Sequence, residues 1–150
     1  MRVIIQRTTE ASVLINALEK RSINQGLVIL AGFEDADTEE DIQWITKKIV
    51  QLRIFGDAEG KMNLSVMDVN GELLLISQFT LHASTVKGNR PSFIKAARPE
   101  KAIPLYNKFI TELEIQLNKK ITTGEFGADM KVSLVNDGPV TIIMDSRARE

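Results

Sequence analysis

Gly26 and Gly32 enclose Leu-Val-Ile-Leu-Ala, an unbroken apolar run rich in β-branched residues and too short for a helix of ordinary length. Such a run reads as a strand buried on both faces, and everything else in the chain has to pack around it. A chain of 150 residues is long enough to do so as one domain, residues 1–150, with a core of its own.

The flanking segments supply the rest. Residues 2–15, rich in Val, Ile and Thr, predict one strand to Arg7 and a second around Ser12 to Ile15. Asp37 and Glu40 resemble a capping box, and Ile42, Ile45, Ile49 and Leu52 recur behind them at helical spacing. Trp44 falls off that stripe and reads as packing. Gly56 to Gly60 is a turn, a weak strand lies near Leu64 to Val69, and Asn70-Gly71 is a tight-turn signal. Leu73 to Leu81 is the strongest strand prediction. Residues 83–98 form a polar loop, and a helix over roughly 99–118 aligns Ala102, Tyr106, Phe109, Leu113 and Leu117, with Pro104 inside it. Met130, Val132 and Leu134 alternate as a strand, residues 136–139 turn the chain, and Val140 to Met144 closes it. The order β-β-β-α-β-β-α-β-β is not the regular alternation of a doubly wound sheet. It implies a single α/β domain whose mostly antiparallel strands form a partial barrel or two-layer sheet beneath two covering helices.

Side-chain chemistry excludes much. There is no cysteine and one histidine, His82, so disulfides and thiolate chemistry are excluded and no metal site is expected. Neither a phosphate loop nor a dinucleotide fingerprint is present, and no cofactor is expected. No Gly-x-Ser-x-Gly elbow exists to hold a serine nucleophile. His82, ending the predicted Leu73–Leu81 strand, reads as a satisfied or exposed side chain. The first residues lack the apolar stretch of a signal peptide and no run approaches a bilayer span, so a cytoplasmic protein is expected, with no membrane partner. Net charge is −1, which gives no general reason to expect nucleic acid. Locally, Lys87, Arg90, Lys95, Arg98 and Lys101 face a single acid, Glu100. That stretch is either a solvated loop and helix start or a small phosphate-tracking patch.

Two segments are unusual. In Ser77-Gln78-Phe79-Thr80-Leu81, polar residues interrupt a strand that begins wholly apolar. Alternation puts Gln78 and Thr80 on one face, facing a polar cleft unless the strand simply emerges at the sheet edge. In Gly138-Pro139, glycine permits close backbone approach and proline permits a cis bond, although on local grounds a plain hairpin turn is the favoured reading of the pair.

Together these segments, with Gly138-Pro139-Val140-Thr141, resemble the paired signature motifs of the D-aminoacyl-tRNA deacylase family. Gln6-Arg7, Arg53-Ile54-Phe55, Gly60-Lys61-Met62-Asn63, Arg90-Pro91-Ser92-Phe93 and residues 123–130 match in the same order, so the resemblance covers nearly the whole chain. It implies a hydrolase that cuts D-amino acids, and glycine, from the 3′ end of tRNA, working as a homodimer with no DNA partner. By that resemblance a cis Gly138-Pro139 bond enters the partner's site and turns main-chain carbonyls towards the substrate α-carbon, leaving no room for an L-side chain. Arg7 would hold those carbonyls, Ser77 and Leu81 would line the substrate site, and Phe126 and Met130 would pack on the terminal adenosine. Backbone N–H groups around Phe79 and Thr80 would stabilise the oxyanion. Thr80 as nucleophile lacks an evident activating base, so water is the expected attacker, with Gln78 and Thr80 orienting the site. The turn at residues 17–20 lacks the glycine expected there, a departure that touches none of the motifs. The alternatives are a non-catalytic module that binds the tRNA end and an interaction domain with no ligand.

Overall fold

In a computed structural model, described over residues 1–149, the apolar run becomes β3 (Gly26–Gly32), the centre of a mixed sheet curled almost into a barrel. Leu27, Ile29 and Ala31 face a core shared with the helices, while Val28 packs into a second core with Leu74 and Ile76. The buried-on-both-faces reading therefore holds.

β1 (Arg2–Ile15) is one strand of 14 residues, where two were expected. Its first half pairs antiparallel with β3, its second half with β2 (Glu19–Ile23), and β8 (Met130–Asp145) runs along nearly its whole length. At Thr9 the pairing with β8 gains one residue on β1. Such a bulge re-aims the strand. Val3 and Ile5 enter the helix-covered core, whereas Ala11, Val13 and Ile15 enter the second one. β2 had not been expected, because Glu-Lys-Arg-Ser-Ile carries no apolar alternation. The turn before it is made without glycine by Asn16 and Ala17, both at positive φ (49° and 57°).

β6 (Glu72–Ser77) lies parallel to β3, and β7 (Thr122–Thr123) lies parallel to β6. The expected strand to Leu81 is shortened. It stops at Ser77, and Phe79–His82 wind into a 3-10 turn, so the two-face alternation of residues 77–81 does not exist. The weak strand near Leu64–Val69 is displaced to β5 (Met62–Leu64), which pairs with β4 (Phe55–Gly56) as a separate two-stranded ribbon.

The helices cover the face bearing Leu27, Ile29, Leu73 and Leu75. α1 (Glu39–Gln51) buries Ile42, Ile45 and Ile49 as its spacing predicts, with Leu52 at its C-terminal cap. Its capping box is one residue later than expected: Thr38 is the N-cap and Asp41 accepts from the Thr38 N–H at 2.9 Å and its hydroxyl at 3.0 Å. Asp37 is instead buried, paired with the α-amino group of Met1. α2 (Pro99–Leu117) runs through Pro104 and buries Ala102, Tyr106, Phe109, Leu113 and Leu117, the stripe its sequence predicts. Burial pushes the Tyr106 hydroxyl up to about 12, and that hydroxyl donates to the Leu75 carbonyl at 3.3 Å. No described helix is long and apolar enough to cross a membrane.

Candidate active site

Parallel strands direct their carboxyl ends the same way, and in open α/β sheets the crevice beyond those ends is where ligands gather. Here β3 ends at Gly32 and β6 at Ser77, and a cavity of about 360 Å³ opens beyond both. Ala31, Gly32 and Phe33 form one wall, and Ile76, Ser77, Gln78 and Phe79 a second. The loop after β7 and the start of β8 add Phe126 through Met130 and Val132, while α2 and the segment before it add Ala97 and Ala102. Small residues on the walls leave the space, and Phe126 packs edge-on against Tyr106 at 5.8 Å between ring centroids.

Backbone approach shapes this cavity at two glycines. A Cβ on Gly32 would lie 2.8 Å from the Gln78 carbonyl oxygen and 3.0 Å from His82 Cδ2, so the 79–82 turn packs directly on β3. A Cβ on Gly124 would lie 2.4 Å from Met130 Sδ, so its absence lets the thioether lie beneath the loop.

The 3-10 turn carries the polar chemistry. Gln78 Nε2 donates to Thr80 Oγ1 at 2.5 Å. The N–H groups that open such a turn find no acceptor inside it, which leaves those of Phe79 and Thr80 available to an incoming oxygen. Phe79 is 55% exposed and meets Phe93 edge-on at 5.2 Å. Arg2 Nη1 donates to the Leu81 carbonyl at 2.7 Å and fixes the end of the turn. His82 is buried, its Nδ1 3.4 Å from Glu34 Oε1 and its Nε2 without a protein partner. Among the described residues no cluster of His, Cys, Asp or Glu is placed to hold a metal ion.

Five of the residues singled out in the sequence therefore line one cavity: Ser77, Gln78, Phe79, Phe126 and Met130. Thr80 and Leu81 sit on the same turn, outside the lining. Arg7, Gly138 and Pro139 lie elsewhere, on the pairing of β1 with β8. The expected hairpin at 136–139 is absent, because β8 passes through it as one continuous strand. Thr141 pairs with Gln6 and Asn136 with Thr8, so residues 137–140 bulge out opposite Arg7 alone. Gln6 Oε1 stitches the base, accepting from Asn136 Nδ2 at 2.5 Å and Thr141 Oγ1 at 2.7 Å. Arg7 Nη1 donates to the Ile54 carbonyl at 2.5 Å while Nε reaches Asp137. Gly138 and Pro139 are exposed at the crest, joined by a cis peptide bond. A shallower depression of about 320 Å³ between β2 and β8 contains none of the expected residues.

The wall formed by Ala31, Gly32 and Phe33 was not anticipated from the sequence. Its signal was present, in a glycine ending the most buried strand, but only the parallel pairing with β6 gives that position meaning.

The family model described as D-Tyr-tRNA(Tyr) deacylase matches residues 4–145. A protein of Flavobacterium johnsoniae named D-aminoacyl-tRNA deacylase is 61% identical over 150 residues, covering 100% of both chains. One of the same name from Akkermansia muciniphila is also 61% identical over the full length of both. Among solved structures, one described as c-Myc DNA Unwinding Element Binding Protein superposes with a TM-score of 0.91 at 40% identity, covering 97% of this chain and 98% of that one. Another, described as a probable eukaryotic D-amino acid tRNA deacylase, gives a TM-score of 0.83 at 18% identity over 95% of this chain and 97% of that one, a likeness of fold.

Proposed function

This chain belongs to the D-Tyr-tRNA(Tyr) deacylase family, and on that premise we propose that it is a hydrolase of D-aminoacyl-tRNA, releasing free D-amino acid and tRNA. Phe126 and Met130 pack on the terminal adenosine, and Ser77 and Leu81 border the aminoacyl ester. The N–H groups of Phe79 and Thr80 receive the oxyanion of the tetrahedral intermediate, where one such donor is typically worth about 3 kcal/mol. Water attacks, positioned by the turn and assisted by the neighbouring ribose hydroxyl. The Thr80 hydroxyl accepts from Gln78 and has no activating base beside it, which supports an orienting role.

The observation that carries this reading is the placement of Gly138 and Pro139. They crown an exposed bulge held by Arg7, on a strand that pairs with β1 alone among the described residues, and they are absent from their own chain's cavity. Such a bulge suits delivery to a second copy. On its face turned away from the helices β8 also exposes Leu134 and Ile143, apolar surface that a homodimer would cover. Across that dimer the main-chain carbonyls of Gly138 and Pro139 exclude an L-side chain by collision while touching nothing on a D-side chain. Glycyl-tRNA, with no side chain to exclude, is then also cleaved, and the protein works in the cytoplasm where its substrate is.

Incubation with D-tyrosyl-tRNA and L-tyrosyl-tRNA tests the reading. The D-ester is hydrolysed and the L-ester spared. Binding of both without release would instead support a module that holds the tRNA end, and equal inertness overturns the enzyme.

A further inference from the structure

The basic segment running from the loop before α2 into its first turn remains outside the mechanism above. Lys87, Arg90, Lys95, Arg98 and Lys101 are all exposed, and none forms an ion pair among the described residues. The chain as a whole has a net charge of −1, so this concentration of unpaired cations is local. A solvated loop would satisfy those facts alone. Its anchoring adds more.

Both ends of the segment are tied to the cavity. Ser84 and Ser92 exchange backbone hydrogen bonds at 2.8 and 2.9 Å, closing the loop just beyond the 79–82 turn. At the other end the Ala97 N–H donates to the Phe33 carbonyl at 2.8 Å, and Ala97 and Phe33 both line the cavity. Phe93, 37% exposed, stands edge-on to Phe79 on the cavity rim. The loop is thus a cationic collar with an aromatic face, fixed beside the opening.

Resting on the deacylase reading, we propose that residues 84–98 form a second contact surface for the RNA. Lys87, Arg90 and Lys95 take phosphates of the nucleotides leading into the cavity, and Phe93 offers its ring to a base there. A polyanion whose end occupies the cavity must cross the rim, and backbone phosphates are its obligatory feature. An aromatic face among cations is the usual platform for an unpaired base.

The triple variant K87Q/R90Q/K95Q, assayed on full-length D-tyrosyl-tRNA and on the D-tyrosyl ester of adenosine, decides. For the full-length substrate KM rises about tenfold or more with kcat within twofold, and the slope of log KM against log salt falls by about 2. The adenosine ester is cleaved as by the unaltered protein, which also reports intact folding. Phe93→Ala raises KM for the full-length substrate about fivefold. Unchanged KM and salt slope, or equal losses on both substrates, overturn the surface. Failure of the unaltered protein to cleave either substrate would instead overturn the deacylase reading.

Discussion

Arg7 Nε lies 3.2 Å from the carbonyl oxygen of Asp137 and 3.0 Å from its carboxylate Oδ2, so one guanidinium grips the residue immediately before Gly138. The same side chain donates to the Ile54 carbonyl, which ties the β8 bulge to the segment leaving α1. Lysine cannot copy this, because a single ammonium does not span both partners in fixed geometry. Arg7→Lys and Arg7→Ala should reduce the preference for D- over L-tyrosyl-tRNA about tenfold or more. Arg7→Ala should also destabilise by roughly 1–3 kcal/mol, since a buried carbonyl loses its donor. Parallel D and L kinetics with urea denaturation check both.

Gly138 has φ +122°, and a Cβ there would come within 2.9 Å of Val140 Cγ2 and 3.1 Å of Arg7 Nη2. Gly138→Ala should cost about 1–3 kcal/mol and abolish most activity. Gly60→Ala, also at positive φ (+76°) but in open space, should lower stability and leave activity unchanged. Melting temperature and turnover measured on both variants separate site disruption from general strain.

Gly32 carries the turn rather than the substrate. Alanine there would press on the Gln78 carbonyl, a backbone atom that cannot swing aside. Gly32→Ala should lower kcat at least tenfold, through displaced N–H donors at Phe79 and Thr80. A kcat within twofold of the unaltered protein would count against an oxyanion site on this turn.

Thr80 distinguishes two chemistries. If it orients water, Thr80→Ala should retain measurable turnover, reduced about tenfold, and Gln78→Ala should have a similar effect because the two side chains act as one pair. Near-complete loss in a folded Thr80→Ala protein would favour a threonine nucleophile instead. Single-turnover assays with circular dichroism give the answer.

Asp41 gives the fold an acid limit. Burial pushes its carboxyl up, but hydrogen bonds from Ser146, the Thr38 backbone and the Thr38 hydroxyl outweigh that and hold it below the ordinary carboxylate range. A folded value below the unfolded one means stability present above about pH 4 and lost as pH falls through the folded value. Asp41→Asn should be about 1 kcal/mol less stable near neutrality, and the difference should vanish in strong acid. Urea midpoints across that pH range would show it.

The helices were legible because their evidence is local: Ile42, Ile45 and Ile49, like Tyr106, Phe109 and Leu113, declare a buried stripe by spacing alone. β2 was not, because Glu19 to Ser22 are held by pairing with β1 rather than by burial of their own. Asn136 to Pro139 carry every local signal of a hairpin, yet β1 pairs with both flanks and keeps the strand going. Ser77 to Leu81 read as continuing strand because their apolar and polar residues alternate, whereas the chain there closes on itself, Leu81 N–H to the Gln78 carbonyl and Ala83 N–H to the Thr80 carbonyl, with Arg2 holding the Leu81 carbonyl.

The order of residues alone determined the buried stripes of β3 and the two helices, which chemistry is excluded and which family motifs are present, because periodicity and composition act between near neighbours. Tertiary structure decided where strands stop, that Ser77, Gln78 and Phe79 share a cavity with Phe126 and Met130, and that Gly138 stands apart from it, next to the Asp137 that Arg7 holds. Those outcomes depend on hydrogen-bond partners up to 135 residues away in the chain, and no local pattern encodes a partner that distant.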